Sequence, residues 1–124
     1  VVVSPMRRGG VELFVGVRRD EQWGHVMALG LGGVWIEALK DVSLRVLPVS
    51  PAEVRRMVTE LRGASLLDGF RGATPVNLDE LARMVSRIGD AAFALGDTLD
   101  TLEVNPLLAE GDRIEALDAL ATYR

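Results

Sequence analysis

Thr101-Leu-Glu-Val-Asn-Pro-Leu-Leu108, followed by Ile114-Glu-Ala-Leu-Asp-Ala-Leu120, is the stretch that decides the fold. Apolar and polar residues alternate in both segments with a period of two, which predicts two short β-strands. Ala109-Glu-Gly-Asp112 lies between them, and its glycine is free to adopt a positive φ, so we expect a β-hairpin. The rest of the chain is expected to be organised around this hairpin.

The register of the hairpin determines which polar side chains meet. Pairing of Leu108 with Arg113 places Glu103 directly opposite Asp118. Asn105 lies two residues from Glu103 on the same strand, so its side chain points to the same face. We therefore expect Glu103, Asn105 and Asp118 to share one face of the hairpin, with the apolar side chains on the other.

This polar face has two interpretations. Two carboxylates directly across an antiparallel pair repel each other, and a divalent cation such as Mg²⁺, which prefers oxygen ligands, would compensate for the repulsion. The alternative is a solvated strand face on which the long side chains splay apart, and spacing alone favours it. A change of register by one residue would also move Asp118 to the opposite face. Both interpretations stay open on the residues alone.

The composition limits the classes of function. With 124 residues, the chain is long enough for one domain with a core. The formal net charge is −4, so the general basic footprint of a nucleic-acid-binding protein is missing. The absence of cysteine excludes disulfides, thiolate metal sites and cysteine nucleophiles.

Other classes are excluded by what the sequence lacks. The single histidine, His25, excludes a His-rich metal site, and we expect it to be a neutral surface or half-buried residue. Apolar runs of membrane-spanning length and a signal peptide are not visible, so we expect a cytoplasmic protein without a membrane partner. The chain begins directly with the strand-like Val1-Val-Val3, and we therefore expect a piece of a longer protein.

Secondary structure along the chain is predicted from periodicity and capping residues. Ser50-Pro-Ala-Glu53 begins one helix, which we expect to end at Gly63, and Asn77 begins another, which we expect to end at Gly96. The strands before the final hairpin are predicted at Val1–Met6, Val11–Arg19, His25–Leu29, Val34–Ile36 and Val42–Val49. This order indicates an α+β fold, a mainly antiparallel sheet with two main helices packed on one face.

A glycine-rich stretch, Gly30-Leu-Gly-Gly33, follows the predicted strand His25–Leu29. Glycines here allow backbone N–H groups to approach an anion closely, as in phosphate-binding loops. The alternative is a tight turn between two strands. The stretch does not match the dinucleotide-binding or P-loop patterns, so spacing alone does not decide between the two.

Seven short motifs stand in a fixed order along the chain: Pro5-Met6, Gly10-Val-Glu-Leu13, Gly16-Val-Arg-Arg-Asp20, Gly30-Leu-Gly-Gly-Val-Trp-Ile-Glu37, Lys40-Asp41, Leu67-Asp-Gly-Phe-Arg-Gly72 and Glu103-Val-Asn-Pro-Leu107. Together they closely resemble the ATP-grasp domain of the ADP-forming acyl-CoA synthetase family, and more distantly the β subunit of succinyl-CoA synthetase. The resemblance runs over nearly the whole chain. It implies an incomplete ATP-grasp fold in which residues 1–124 form the C-terminal subdomain.

The resemblance also implies an activity and a set of site residues. Such enzymes interconvert an acyl-CoA, ADP and phosphate with a free acid, CoA and ATP, and they pass the phosphoryl group through a histidine. Asn105 and Asp118 are the positions that would hold the Mg²⁺ of ATP or ADP, and Glu103 would reach the metal or its water shell. The glycines near the transferring phosphate would be Gly30, Gly32 and Gly33. None of these is implied to be a catalytic residue.

The family parts outside this chain are the first ATP-grasp subdomain, the CoA-binding domain and the phosphohistidine segments. We therefore expect those domains of a parent enzyme as partners and expect the fragment alone to be inactive. Other readings are a regulatory ATP-grasp-like module of a protein lysine acyltransferase, a stand-alone nucleotide or metal sensor, and a non-catalytic interaction domain. An exposed strand edge at Val1–Met6 would favour homo-oligomers.

Overall fold

A computed structural model describes residues 10–31, 41–69 and 74–124. Within these ranges the elements are β1 (Val11–Asp20), β2 (Gly24–Leu31), β3 (Val42–Val46), α1 (Pro51–Thr59), α2 (Leu78–Leu95), β4 (Leu99–Glu110), β5 (Arg113–Ala116) and β6 (Ala119–Tyr123). Short 3₁₀ turns occupy Ala64–Asp68 and Gly96–Thr98. The expected α+β fold, an antiparallel sheet with two helices, is confirmed. Neither α1 nor α2 has the length and apolar character needed to span a membrane.

The described strands form one antiparallel sheet in the order β3-β2-β1-β4-β5, and β6 also pairs with β4. The central strand is β1, in which Val15 pairs with Leu29 of β2 on one side and with Val104 of β4 on the other. Leu13, Val15 and Val17 are buried, as the period-two alternation predicts. The side chains between them point to the opposite face.

The two helices cover one face of this sheet because their apolar stripes meet the buried side chains of the strands. At the start of α1, the Ser50 hydroxyl accepts a hydrogen bond from the Glu53 N–H at 3.1 Å. Asn77 Oδ1 accepts N–H bonds from Asp79 and Glu80 at the start of α2. The apolar core lies between these layers and includes Leu13, Met27, Leu29, Val54, Met57, Leu81, Val85 and Leu107.

The other face of the sheet is covered by neither α1 nor α2, and we call it the open face. It carries the side chains that alternate with the buried ones, including the exposed Leu44 of β3 and Leu120 of β6. Glu103 and Asn105 of β4 are also exposed. The polar face predicted for the final hairpin therefore belongs to the open face.

Several predicted boundaries and one residue environment were wrong. β2 ends at Leu31 rather than at Leu29, β4 extends beyond both ends of the predicted strand, and the predicted last strand is divided into β5 and β6. β3 ends at Val46 because Pro48, two residues on, has no N–H for the ladder. α1 ends at Thr59, with Glu60 as its C-cap, rather than at Gly63. The last strand continues to Tyr123, where it pairs with Leu99.

His25 is buried rather than at the surface or half-buried. Its Nε2 lies 3.2 Å from the carbonyl oxygen of Leu99, so a hydrogen bond satisfies the ring in the interior. The predicted strands Val1–Met6 and Val34–Ile36 lie outside the described residues.

Candidate functional site

The turn of the final hairpin is tighter than the sequence led us to expect. Glu110 pairs with Arg113, so the connection consists of two residues, of which Gly111 has a φ of 58°. This left-handed conformation suits the two-residue hairpin turn and allows the ladder to extend further than predicted. The predicted pairing of Leu108 with Arg113 was therefore wrong by two residues, and Leu108 pairs with Glu115 instead.

The corrected register changes which side chains face each other. Along β4 and β6, Glu103 pairs with Leu120, so Glu103 is not directly opposite Asp118. Asn105 is now the residue across from Asp118, and its N–H donates to the Asp118 carbonyl oxygen at 3.1 Å. The predicted repulsion between directly opposed carboxylates was wrong. A register shift of two residues conserves the faces, so Glu103, Asn105 and Asp118 still lie on the same side.

These three residues line one depression on the open face. Its volume is about 160 Å³, and its lining consists of Glu103, Asn105, Asp118, Ala119 and Leu120. Neither Glu103 nor Asp118 forms an ion pair with another described residue. The depression thus presents two uncompensated carboxylates and one amide to solvent.

The oxygen atoms of the depression suit a hard cation that is also coordinated by a bound phosphate ligand. Among residues 10–31, 41–69 and 74–124, no three His, Asp or Glu side chains cluster closely enough to hold a metal by themselves. Two carboxylates and an amide oxygen are ligands that Mg²⁺ accepts, and Mg²⁺ commonly completes its shell with water and substrate phosphates. The residues present therefore fit a magnesium ion that arrives with a phosphate ligand.

Gly30 of β2 and Asn105 of β4 lie at the same level along the sheet, on either side of β1. Gly30 pairs with Phe14, and Phe14 lies opposite the irregularity at Asn105–Pro106, where the register of β1 and β4 shifts. Two strand spacings put the backbones of Gly30 and Asn105 about 10 Å apart. Gly30 belongs to β2 and is not part of a tight turn, while Gly32 and Gly33 lie outside the described residues.

Close packing explains why residue 30 is a glycine. A Cβ atom built there would lie 2.6 Å from Cε1 of Phe14 and 2.9 Å from the carbonyl oxygen of Asp41. The Phe14 ring thus occupies the space that a side chain at position 30 would need. The glycine is required by its neighbours, whether or not it also approaches a ligand.

A second, larger depression borders the first and was not anticipated from the sequence. It has a volume of about 580 Å³, shares Glu103 with the first depression, and has a floor of small residues that includes Gly16 and Ala28. Arg18 and Glu103 both line it, and Arg18 pairs with Thr101 of β4, two residues from Glu103. The alternation in β1 predicts the face of Arg18, but only the strand order places it beside β4.

Comparison with known proteins agrees with this architecture. The ATP-grasp domain family matches residues 1–122 of the chain. The β subunits of two ADP-forming acetate–CoA ligases of Pyrococcus furiosus are similar: subunit I is 37% identical over 119 residues and subunit II is 32% identical over 121 residues. Each match covers 96% of this chain and 51% of the relative. The chain thus spans about half the length of these relatives.

A solved structure shows the same fold. The dinucleotide-forming acetyl-coenzyme A synthetase 1 of Ca. Korarchaeum cryptofilum, in complex with coenzyme A and Mg-AMPPCP, superimposes with a TM-score of 0.86 at 36% sequence identity. The match covers 93% of this chain and 54% of that chain. The resemblance read from the sequence motifs is confirmed, and this chain belongs to the ATP-grasp domain family.

Proposed function

We propose that this chain is the Mg²⁺- and nucleotide-binding part of an ADP-forming acyl-CoA ligase. The observation that carries the proposal is the pairing of Asn105 with Asp118 on the open face, with Glu103 in the same depression. The Korarchaeum structure contains Mg-AMPPCP, which supports a magnesium–nucleotide ligand for a chain of this family. The reaction of the complete enzyme would be acyl-CoA, ADP and phosphate to free acid, CoA and ATP.

In this proposal each polar residue of the depression has one task. The Asn105 amide oxygen and the Asp118 carboxylate would hold Mg²⁺, and the Glu103 carboxylate would reach the metal or its water shell. When bound, Mg²⁺ neutralises phosphate charge. Gly30 lies within the paired strand β2 beneath the Phe14 ring, so N–H groups that approach the phosphates would come from Gly32 and Gly33.

The chain supplies only part of the contacts that a ligase needs. Phosphoryl transfer depends mainly on positioning and on electrostatic stabilisation, so a nucleotide held from one side is neither tightly bound nor aligned. We therefore propose that the remaining nucleotide contacts and the CoA site come from further domains of a longer ligase. On its own, the chain is expected to bind Mg–ADP weakly and to form no ATP.

The proposal is tested by measuring Mg–ADP binding and ATP formation in the full-length gene product. Asn105→Ala and Asp118→Ala should each weaken Mg–ADP binding by about tenfold or more in calorimetry, because each removes one oxygen ligand. ATP formation from acyl-CoA, ADP and phosphate should fall in parallel. Both side chains are exposed, so melting temperatures should stay close to that of the wild type.

Asp100→Ala is the matched control, because Asp100 is another exposed carboxylate of β4 that lies outside the depression. It should leave binding and turnover unchanged. Unaltered Mg–ADP affinity in folded Asn105→Ala and Asp118→Ala proteins would contradict the proposed site. ATP formation by the isolated chain would contradict the proposed need for further domains.

A further inference from the structure

Gly16 occupies the middle of the open face, and neither its backbone nor its neighbours require a glycine there. Its φ is not in the left-handed region. A Cβ atom built on it would lie 3.7 Å from Cε2 of Phe14, an ordinary contact distance, whereas one built on Gly30 would lie 2.6 Å from Cε1 of the same ring. A glycine inside a strand costs stability, and it commonly marks a place where a ligand approaches the backbone closely.

The position of Gly16 joins the two depressions. It pairs with Ala28 of β2 on one side and with Glu103 of β4 on the other. It forms part of the floor of the larger depression, and Glu103 lines both depressions. Because residue 16 has no side chain, the floor beside Glu103 stays at the level of the backbone. A ligand held at the metal site therefore has room to extend across β1.

Arg18 supplies a positive charge beside this floor. It is two residues from Gly16 and thus on the same face of β1, and it pairs with Thr101, two residues from Glu103. Such diagonal neighbours on one face are about 7–8 Å apart, within reach of a long side chain. Arg18 is the only cationic residue among the described residues that line either depression.

The carboxylates around Arg18 leave its guanidinium available. Asp20 lines the same depression, but its Oδ1 accepts N–H bonds from Gln22 and Trp23 at 2.8 and 2.9 Å. Among residues 10–31, 41–69 and 74–124, no carboxylate forms an ion pair with Arg18. A guanidinium binds phosphate through the same fork of N–H groups that binds a carboxylate.

The charge of the proposed metal site indicates which ligand needs this cation. The carboxylates of Glu103 and Asp118 offset the positive charge of Mg²⁺, so most of the negative charge of a bound diphosphate is left uncompensated. A second cation within reach of the diphosphate would offset that charge through charge-assisted hydrogen bonds. Arg18 is placed to provide them.

We propose that Gly16 and Arg18 form an anion subsite for a phosphate group of the nucleotide whose Mg²⁺ is held at Asn105 and Asp118. The bare backbone at Gly16 lets the phosphate lie against β1, and the Arg18 guanidinium binds it. This inference rests on the proposed function. It names two residues of the nucleotide site that the metal ligands alone do not account for.

The first test separates stability from binding at Gly16. Gly16→Ala should not lower the melting temperature of the full-length gene product, because a Cβ atom fits there and the backbone conformation is ordinary. It should nevertheless weaken Mg–ADP binding by about tenfold in calorimetry, because the methyl group fills the space of the phosphate. A purely structural role for residue 16 would not move stability and affinity apart in this way.

The second test uses opposite expectations for metal and nucleotide at Arg18. Arg18→Met should weaken Mg–ADP binding by about tenfold, the factor expected when one charged hydrogen bond is lost. The Mn²⁺ binding that Asp118→Ala removes, measured without nucleotide, should not weaken in Arg18→Met, because loss of a nearby positive charge does not disfavour a cation. Arg113→Met is the matched control, since Arg113 is an exposed arginine of β5 that lines neither depression. It should change Mg–ADP binding by less than about twofold.

The inference is overturned if folded Arg18→Met or Gly16→Ala protein binds Mg–ADP within about twofold of the wild type. It is also overturned if Arg113→Met weakens binding as much as Arg18→Met, or if Arg18→Met weakens Mn²⁺ binding in parallel. If Arg18→Met does not fold, Arg18→Gln decides by the same criteria. Asn105→Ala separates this failure from failure of the proposed function. Binding that is lost in Asn105→Ala and intact in Arg18→Met overturns the anion subsite alone, whereas equal binding by wild type and Asn105→Ala overturns both.

Discussion

Arg45 shows how a single side chain joins the edge of the sheet to a helix. Its Nε donates to Oε2 of Glu53 at 2.5 Å, and its guanidinium also binds both carboxylate oxygens of Glu60. Glu53 lies in the first turn of α1 and Glu60 at its end. The hydrogen bonds from Arg45 lower the pKa of Glu53 and of Glu60, and the bonds to Glu60 and then Glu53 raise the pKa of Arg45.

These pKa shifts predict an acid dependence of stability. A carboxyl group whose pKa is lower in the folded state stabilises the fold above its unfolded pKa, and the contribution disappears as pH falls through the folded pKa. Arg45→Met should therefore lower the melting temperature at pH 7, and the difference from wild type should shrink as pH falls below the ordinary glutamate pKa of 4.5. Thermal melts from pH 7 to pH 3 measure this difference.

Arg83→Met is the control for that series. Arg83 pairs with Glu80 within α2, and both side chains are about half exposed, so the pair should contribute little. A difference between Arg45→Met and wild type that stayed constant from pH 7 to pH 3 would contradict the assigned ionic origin.

Among the helices and strands, features that are set by residues close in sequence were predicted correctly, namely the helix starts and the strand faces. The register of the final hairpin was not. The starts of both helices follow from Ser50 and Asn77, whose capping side chains act within three residues. The shared face of Asn105 and Asp118 follows from the two-residue period. The register was wrong because a four-residue turn, Ala109–Asp112, was expected, whereas Gly111-Asp112, a dipeptide typical of two-residue hairpin turns, forms the whole connection.

Contacts with α2 hold this turn in place. The backbone N–H of Asn77 donates to the carbonyl oxygen of Gly111 at 2.8 Å, and Asn77 Nδ2 donates to Oδ1 of Asp112 at 2.7 Å. The same Asn77 caps α2 through its Oδ1. One residue thus connects the start of α2 to the hairpin whose register places Asn105 opposite Asp118.

Substitution of Gly111 tests the dependence of the hairpin on its turn. Gly111→Val should lower the free energy of unfolding by about 2 kcal/mol, because a β-branched residue is strained at positive φ. Its Cβ would also lie 3.1 Å from Cγ2 of Thr74. Gly111→Asn should cost clearly less, because asparagine tolerates the left-handed region. Urea unfolding measures both, and equal losses would show that backbone conformation is not the cause.

At the level of the whole molecule, the order of the strands was not readable from the sequence. Alternation identifies which side chains of β1 are buried, but it does not reveal that β1 lies between β2 and β4. That order brings Gly30 near Asn105 and places Arg18 beside Glu103, so the shape of the site depends on pairings between remote segments. The burial of His25 was not predicted for the same reason, because its hydrogen-bond partner, the carbonyl oxygen of Leu99, is remote in sequence.

The close packing of α2 against the sheet at Gly89 leads to a further prediction. A Cβ atom on Gly89 would lie 2.9 Å from Cδ2 of Leu47 and 3.0 Å from Cε of Met27, so the helix and the sheet meet closely here. Gly89→Val should lower the free energy of unfolding by about 1–3 kcal/mol through overpacking. Ala91→Val, at an exposed position of α2, should lose less than about 1 kcal/mol by helix propensity alone. Equal losses in urea unfolding would contradict the close contact.

The central place of β1 also has a consequence for the order of folding. β1 and β2 form a local hairpin, whereas pairing of β1 with β4 joins Val15 to Val104, about 90 residues apart in sequence, and closes a much longer loop. Loop-closure entropy makes the second pairing the costlier one, so we expect β1 to pair with β2 before it pairs with β4. Competence to bind metal with nucleotide at Asn105 is thus expected to report completion of the slower, long-range pairing.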